Sequence, residues 1–150
     1  MISIEQSVVI NRPIEEVYAY VVDVENCPQW RSSCLEAKRF TEGPIRAGTT
    51  ERYTMRVFGR RQETTMEVTE YEPHRKYAWR ATSGGLFPLR GWFTFQTVDG
   101  GTKVTETIEA EPSGFLKLAK PFIVRMFRRE GESDFSNLKE ILEAQAEASA

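Results

Sequence analysis

The sequence predicts an α+β fold: a seven-stranded antiparallel sheet wrapped around one long C-terminal helix, with two short helices after the first strand. Three observations carry this. Apolar residues alternate with period two in one segment before residue 11 and in six more between residues 34 and 111. The connections among those six contain Gly or Pro and are too short for helical crossovers, so neighbouring strands run antiparallel. After Pro112-Ser113-Gly114 the spacing becomes helical and stays so towards Glu147.

Taken in order, "SIEQSVVI" places Ile4, Gln6, Val8 and Ile10 on one face. "NRP" follows as a helix start, with Asn11 as a candidate cap and Pro13 near the first turn. In "PIEEVYAYVVDV" the residues Ile14, Val17, Tyr18, Val21 and Val22 fall at helical spacing, and Glu15 and Glu16 sit where the helix dipole favours them. Pro28 disfavours helix at Cys27, which predicts a break and a further turn ending near Trp30. The remaining strands are "CLEAKRFTEG", "TTERYTMRVFG", "RRQETTMEVTEYE", "RKYAWRATSG", "RGWFTFQTV" and "TKVTETIEAE". Gly59, Pro73 and Asp99-Gly100-Gly101 mark three hairpin turns. Pro121 either kinks the terminal helix or starts its main part, and the Ala/Glu-rich tail from about residue 144 is expected to fray.

Composition narrows the function classes. The 150 residues read as a single domain, 1–150, with no linker and no internal repeat. Twenty basic and 22 acidic residues give a net charge of −2, which provides no general field for nucleic acid. One His and two Cys, with no HExxH, GxSxG or Walker-type loop, give no basis for a metal or other cofactor. Cys27 and Cys34 are too few for a disulfide scaffold, and the first residues lack a secretion signal, so a cytoplasmic protein with free thiols is expected. "FLKLAKPFIVRMF", the most apolar run, is interrupted by Lys117, Lys120 and Arg125 and falls short of the roughly 18 apolar residues of a membrane span.

The order of elements is similar to the helix-grip fold of the START/Bet v 1-like (SRPBCC) superfamily. "INRPIEEVYAYVVDVENCPQW", "VTEYEPHRKYAWRA", "GGTKVTETIEAE" and "NLKEILE" resemble segments of its polyketide cyclase/dehydrase and lipid-transport group. The resemblance covers almost the whole chain. It implies a cavity between the sheet and the long helix that binds a hydrophobic small molecule, lipid or polyketide-like, or, in some branches, a cyclase or dehydratase site.

Strand parity supplies the candidate lining. Tyr53, Met55 and Val57 form one stripe, Thr64, Met66 and Val68 a second, and Tyr77, Trp79 and Ala81 a third, a mixture suited to an apolar ligand held through few polar groups. Phe93 and Phe95 from the sixth strand join them, as do Phe122 and Met126 from the terminal helix. Such stripes are as often plain core. Trp30 is assigned to packing and His74, after Pro73, to the surface. Leu86 and Phe87, in a loop flanked by glycines, are candidates for a gate.

Glu106 is the ambiguous position. It shares the parity of Val104 and Ile108, yet an ionised carboxylate on a core face needs a partner, so a rim position is the more ordinary reading. If Gly100 and Gly101 form a two-residue turn, Phe95 lies opposite Glu106 on the inner face, whereas a three-residue turn reverses the parity. An inner Glu106 would find Gln6 on the first strand, or an Arg such as Arg80 or Arg90, as its partner. No residue is identifiable as catalytic. General acid or base chemistry would fall to Glu106, Tyr53, Tyr77 or a buried Arg, with Glu106 the leading candidate.

Residues 113 to 129 carry five basic residues and no acid among apolar ones, a composition that also suits peripheral docking on a membrane or protein surface. A module that only docks predicts a filled core. Glu130, Glu132 and Asp134 read as local neutralisers of this basic stretch.

Overall fold

A computed structural model of the chain describes residues 1–84 and 87–149, with side chains to residue 145. Seven strands form one antiparallel sheet in the order β1-β7-β6-β5-β4-β3-β2, so only the β1–β7 neighbours are far apart in sequence. The strands are β1 (Ile2–Ile10), β2 (Cys34–Arg39), β3 (Thr50–Val57), β4 (Arg60–Glu72), β5 (Lys76–Ser83), β6 (Leu89–Val98) and β7 (Gly101–Ala110). Two short helices, α1 (Ile14–Val22) and α2 (Cys27–Trp30), separate β1 from β2, and α3 (Lys120–Ser149) closes the concave face. This is the α+β helix-grip arrangement that the pattern predicts.

Irregularities curl the sheet. The β4–β5 register shifts between Thr65 and Met66 and again between Val68 and Glu70, and β2–β3 shifts between Cys34 and Glu36. Extra residues of this kind bend a strand and raise its twist, which lets seven strands wrap a single helix. β2 ends at Arg39, several residues before the expected limit at Gly43.

The sheet's inner face and the helices form the core. Val17, Tyr18, Val21 and Val22 of α1 pack with Phe95, Val104, Leu138 and Leu142, while Ile2 and Ile4 meet Ile123 of α3. Pro121 is the second residue of α3, a position where its missing N–H costs nothing, so it starts the main helix rather than kinking it. α3 remains helical to Ser149, past the point where its composition predicts fraying. A Cβ on Gly131 would stand 1.7 Å from Gln6 Oε1, so this glycine permits α3 to lie directly on β1. Gly91 does the same for the Trp79 indole, 2.7 Å from where its Cβ would be.

The β6–β7 turn is Asp99-Gly100, with Val98 opposite Gly101. Glu106 therefore pairs with Phe93, not Phe95, a shift of two residues from the expected register that leaves its face unchanged. Gln6 pairs with Glu106 on the other side.

Candidate functional site

Between the sheet and α3 lies a cavity of two adjoining lobes, about 140 and about 150 Å³. Tyr53, Met55, Met66, Tyr77, Trp79, Phe93 and Glu106 line the first lobe, with Trp30, Arg31, Glu130 and Asp134. Met55, Val57, Thr64, Met66, Ala81, Phe87 and Met126 line the second. Met55, Met66, Leu89, Phe127 and Glu130 border both. The strand stripes thus form the wall almost entire, with Val68 buried in the core instead.

Two expected lining residues lie elsewhere. Phe95 is buried one row away, edge-on to Tyr18 with ring centroids 4.9 Å apart, because α1 covers that end of the sheet. Phe122 is 58% exposed and is not part of the lining; it stacks instead on Phe58 of the β3–β4 turn, which borders the second lobe. Of the two gate candidates, Phe87 reaches the second lobe and Leu86 lies outside the described residues. Phe115 and Leu118, 81% and 86% exposed, stand with Lys117 and Lys120 on the surface before and at the start of α3. His74 is exposed in its turn, as expected.

Glu106 is not a rim residue. It is 5% exposed, and its Oε2 accepts a 2.7 Å hydrogen bond from Nη2 of Arg31. Neither expected arginine is its partner: Arg80 pairs with Glu67 and Arg90 with Glu109, both across the outer face of the sheet. Gln6, though adjacent, donates to the Arg128 carbonyl of α3 at 2.8 Å. The partner comes from the end of α2 instead.

Local structure explains why Arg31 is there. Asp23 caps the turn of residues 24–26 by accepting from the Glu25 N–H at 3.1 Å, and Pro28 sits in the first turn of α2. The helix ends when Arg31 turns to an extended conformation, its N–H on the Cys27 carbonyl at 2.9 Å. Trp30 stacks on Phe135 of α3, at 6.3 Å, and meets Phe93 edge-on, so it both packs and borders the cavity. The guanidinium lies 4.5 Å over the Trp30 ring, a cation–π contact strengthened by partial desolvation.

Asp134 completes the arrangement. It is 2% exposed, stands 4.0 Å from Arg31 through Oδ2, and accepts 3.0 Å bonds from both the N–H and the hydroxyl of Ser32 through Oδ1. Of the three acids expected to neutralise the basic stretch, only Glu132 is exposed; Glu130 and Asp134 border the cavity. Sequence reasoning placed them by charge, although their spacing with Phe127, Gly131, Phe135 and Leu138 marks the inward face of α3.

The electrostatics follow. Burial disfavours the Arg31 charge, but attraction to Glu106 and to Asp134 more than offsets it and the guanidinium stays charged. Burial holds Glu106 above the usual carboxylate range despite Arg31, and Glu130 is raised by burial and by Asp134. The Arg31 cation and the acids beside it, two of them held towards their neutral forms, can hold a developing negative charge and give or take a proton.

A second buried carboxylate escaped the sequence reading. Glu51 of β3 is fully buried behind Tyr53 and Tyr77, which both donate to its Oε1, Tyr53 at 3.3 Å. Burial raises it to about 7, against the opposing hydrogen bonds of Tyr77 and Tyr53. The signal was present in the stripe of Tyr53, Met55 and Val57, which reaches Glu51 one step earlier.

Among the described residues no group of His, Cys, Asp and Glu is placed to hold a metal, and no helix is long and apolar enough to cross a membrane. Cys27 and Cys34 are buried free thiols.

Solved structures share this frame. A Thermus thermophilus protein, TTHA0849, superposes with a TM-score of 0.82 at 20% identity, over 96% of this chain and 99% of its own. The Zhui aromatase/cyclase of a Streptomyces species gives 0.80 at 16% identity, over 99% and 98%. A START superfamily protein from Mycobacterium smegmatis gives 0.76 at 15% identity, over 95% and 98%. At these identities the likeness is one of fold. A search of curated proteins finds no match to the sequence. The sequence itself matches the family described as polyketide cyclase / dehydrase and lipid transport over residues 1–143, and the chain belongs to that family.

Proposed function

We propose that the cavity binds a small, mainly apolar, ring-containing molecule, lipid-like or polyketide-like, whose polar group is held at the Arg31, Glu106 and Asp134 end. One observation carries the reading: a half-buried Arg with its buried carboxylate partners opens onto walls that are mainly aromatic and aliphatic. An apolar cavity on the order of 150 Å³ takes up a benzene-sized guest, so two such lobes suit a ligand of about two rings or a ring with a tail. Native mass spectrometry of the protein as purified from cells tests this. A retained mass released on denaturation supports the reading, and a protein that carries nothing and takes up no hydrophobic probe overturns it.

The raised Glu106 and Glu130 beside a fixed cation support a second reading, a cyclase or dehydratase acting on polyketide-like substrates. Dehydration of a β-hydroxy ketone needs a proton taken from the carbon beside the carbonyl, negative charge held on the carbonyl oxygen, and a proton given to the departing hydroxyl. Arg31 suits the second task, and the two glutamates suit the proton transfers. The Glu106→Gln variant separates the readings. Turnover lost with ligand binding retained selects the enzyme, whereas binding with no turnover in the wild-type protein selects the carrier.

A further inference from the structure

Glu51 has no part in the Arg31 cluster, and its burial calls for a reason. Its Oε2 has no hydrogen-bond partner among the described residues, while its Oε1 takes the hydroxyl protons of both Tyr53 and Tyr77. An isolated buried carboxylate is costly to a fold, so what it does to the two phenols matters. Each phenol has one proton, and both are directed at Glu51. Their oxygens therefore offer the cavity lone pairs only. Arg31, at the other end, offers donors only.

The register fixes how these ends relate. Tyr77 lies opposite Phe93, and Phe93 opposite Glu106, the partner of Arg31. Two strand spacings separate them, roughly 10 Å at the backbone. A ligand of about two rings spans that distance, with an accepting group at Arg31 and a donating group at the tyrosines.

Building on the cavity as a ligand site, we propose that Tyr53 and Tyr77, aligned by Glu51, form a hydrogen-bond-accepting subsite that receives a hydroxyl of the ligand. The cavity then selects hydroxylated ring systems over the corresponding ethers. Glu51 is a positioning residue, acting through the phenols rather than on the ligand.

Fluorescence titration with 2-naphthol and 2-methoxynaphthalene tests this, since the second probe keeps the rings and lacks the donor. The wild-type protein is expected to bind 2-naphthol about tenfold more tightly, the effect of one well-made hydrogen bond in a desolvated site. Tyr77→Phe and Tyr53→Phe are each expected to weaken 2-naphthol about fivefold and to leave 2-methoxynaphthalene unchanged. Tyr53 is the less buried of the two, so its variant carries the test should Tyr77→Phe fold poorly. Equal affinity of the wild-type protein for both probes overturns the subsite and leaves the cavity reading standing. Equal weakening of both probes by the variants also overturns it, by assigning the tyrosines to packing. Binding of neither probe overturns both proposals together.

Discussion

Replacing Glu51 by Gln should remove a pH dependence of stability whose size follows from its environment. Burial lifts the folded-state value from an ordinary 4.5 to about 7. Below about 4.5 the carboxyl is neutral in both folded and unfolded chains and contributes no slope. As pH rises from there, the unfolded chain releases the proton while the folded one retains it, so stability falls. Above about 7 both are ionised and the loss levels off. At about 1.4 kcal/mol per pH unit the total is about 3 kcal/mol. A buried Gln is neutral throughout, and its amide at the unpartnered position adds a constant offset without a slope. Glu106 and Glu130 are also raised and tilt the same way, so the informative quantity is the difference between wild-type and variant. Urea unfolding at a series of pH values from about 4.5 to about 8 measures it. The expected result is a wild-type advantage that shrinks by about 3 kcal/mol across that window; parallel curves would refute the assignment of Glu51 as a buried, late-titrating acid.

Met66 borders both lobes, so Met66→Trp is expected to abolish uptake of a hydrophobic fluorescent probe while a cooperative melt persists; unchanged uptake would place the ligand elsewhere. Arg31→Met leaves Glu106 and Asp134 buried without their cation and should cost about 3 to 5 kcal/mol near neutral pH, less in acid where Glu106 takes a proton. Denaturant unfolding of that variant at two pH values checks the direction, and a pH-independent loss would contradict it. If Phe115, Leu118 and the basic residues around them dock on a bilayer, co-sedimentation with anionic vesicles should fall on Lys117→Glu with Lys120→Glu, and binding that ignores both changes would reject this surface.

What was legible in the sequence and what was not divides along physical lines. Strands declare themselves through parity and turn residues, which are local, so all seven could be placed from alternation and from the Gly and Pro between them. Parity also survives a register error of two: the turn proved to be Asp99-Gly100, Phe93 replaced Phe95 as the partner of Glu106, and the inward face of Glu106 was unaffected. Parity is silent, however, about position along the strand. Phe93 and Phe95 point the same way, yet α1 covers one while the cavity receives the other, and only the packing of distant elements decides which. The same limit explains the counter-ion. Arg31 lies 75 residues from Glu106 at the end of a four-residue helix, where no period operates, whereas Arg80 and Arg90 lie on strands, where parity can be counted. Glu51 differs: the stripe of Tyr53, Met55 and Val57 begins at Tyr53, although the same parity carried one step back puts residue 51 inside. A carboxylate in register with an aromatic stripe is therefore best tested for burial before it is assigned to the surface. Here both such residues, Glu51 and Glu106, lie inside, and each is held by donors that also face the cavity.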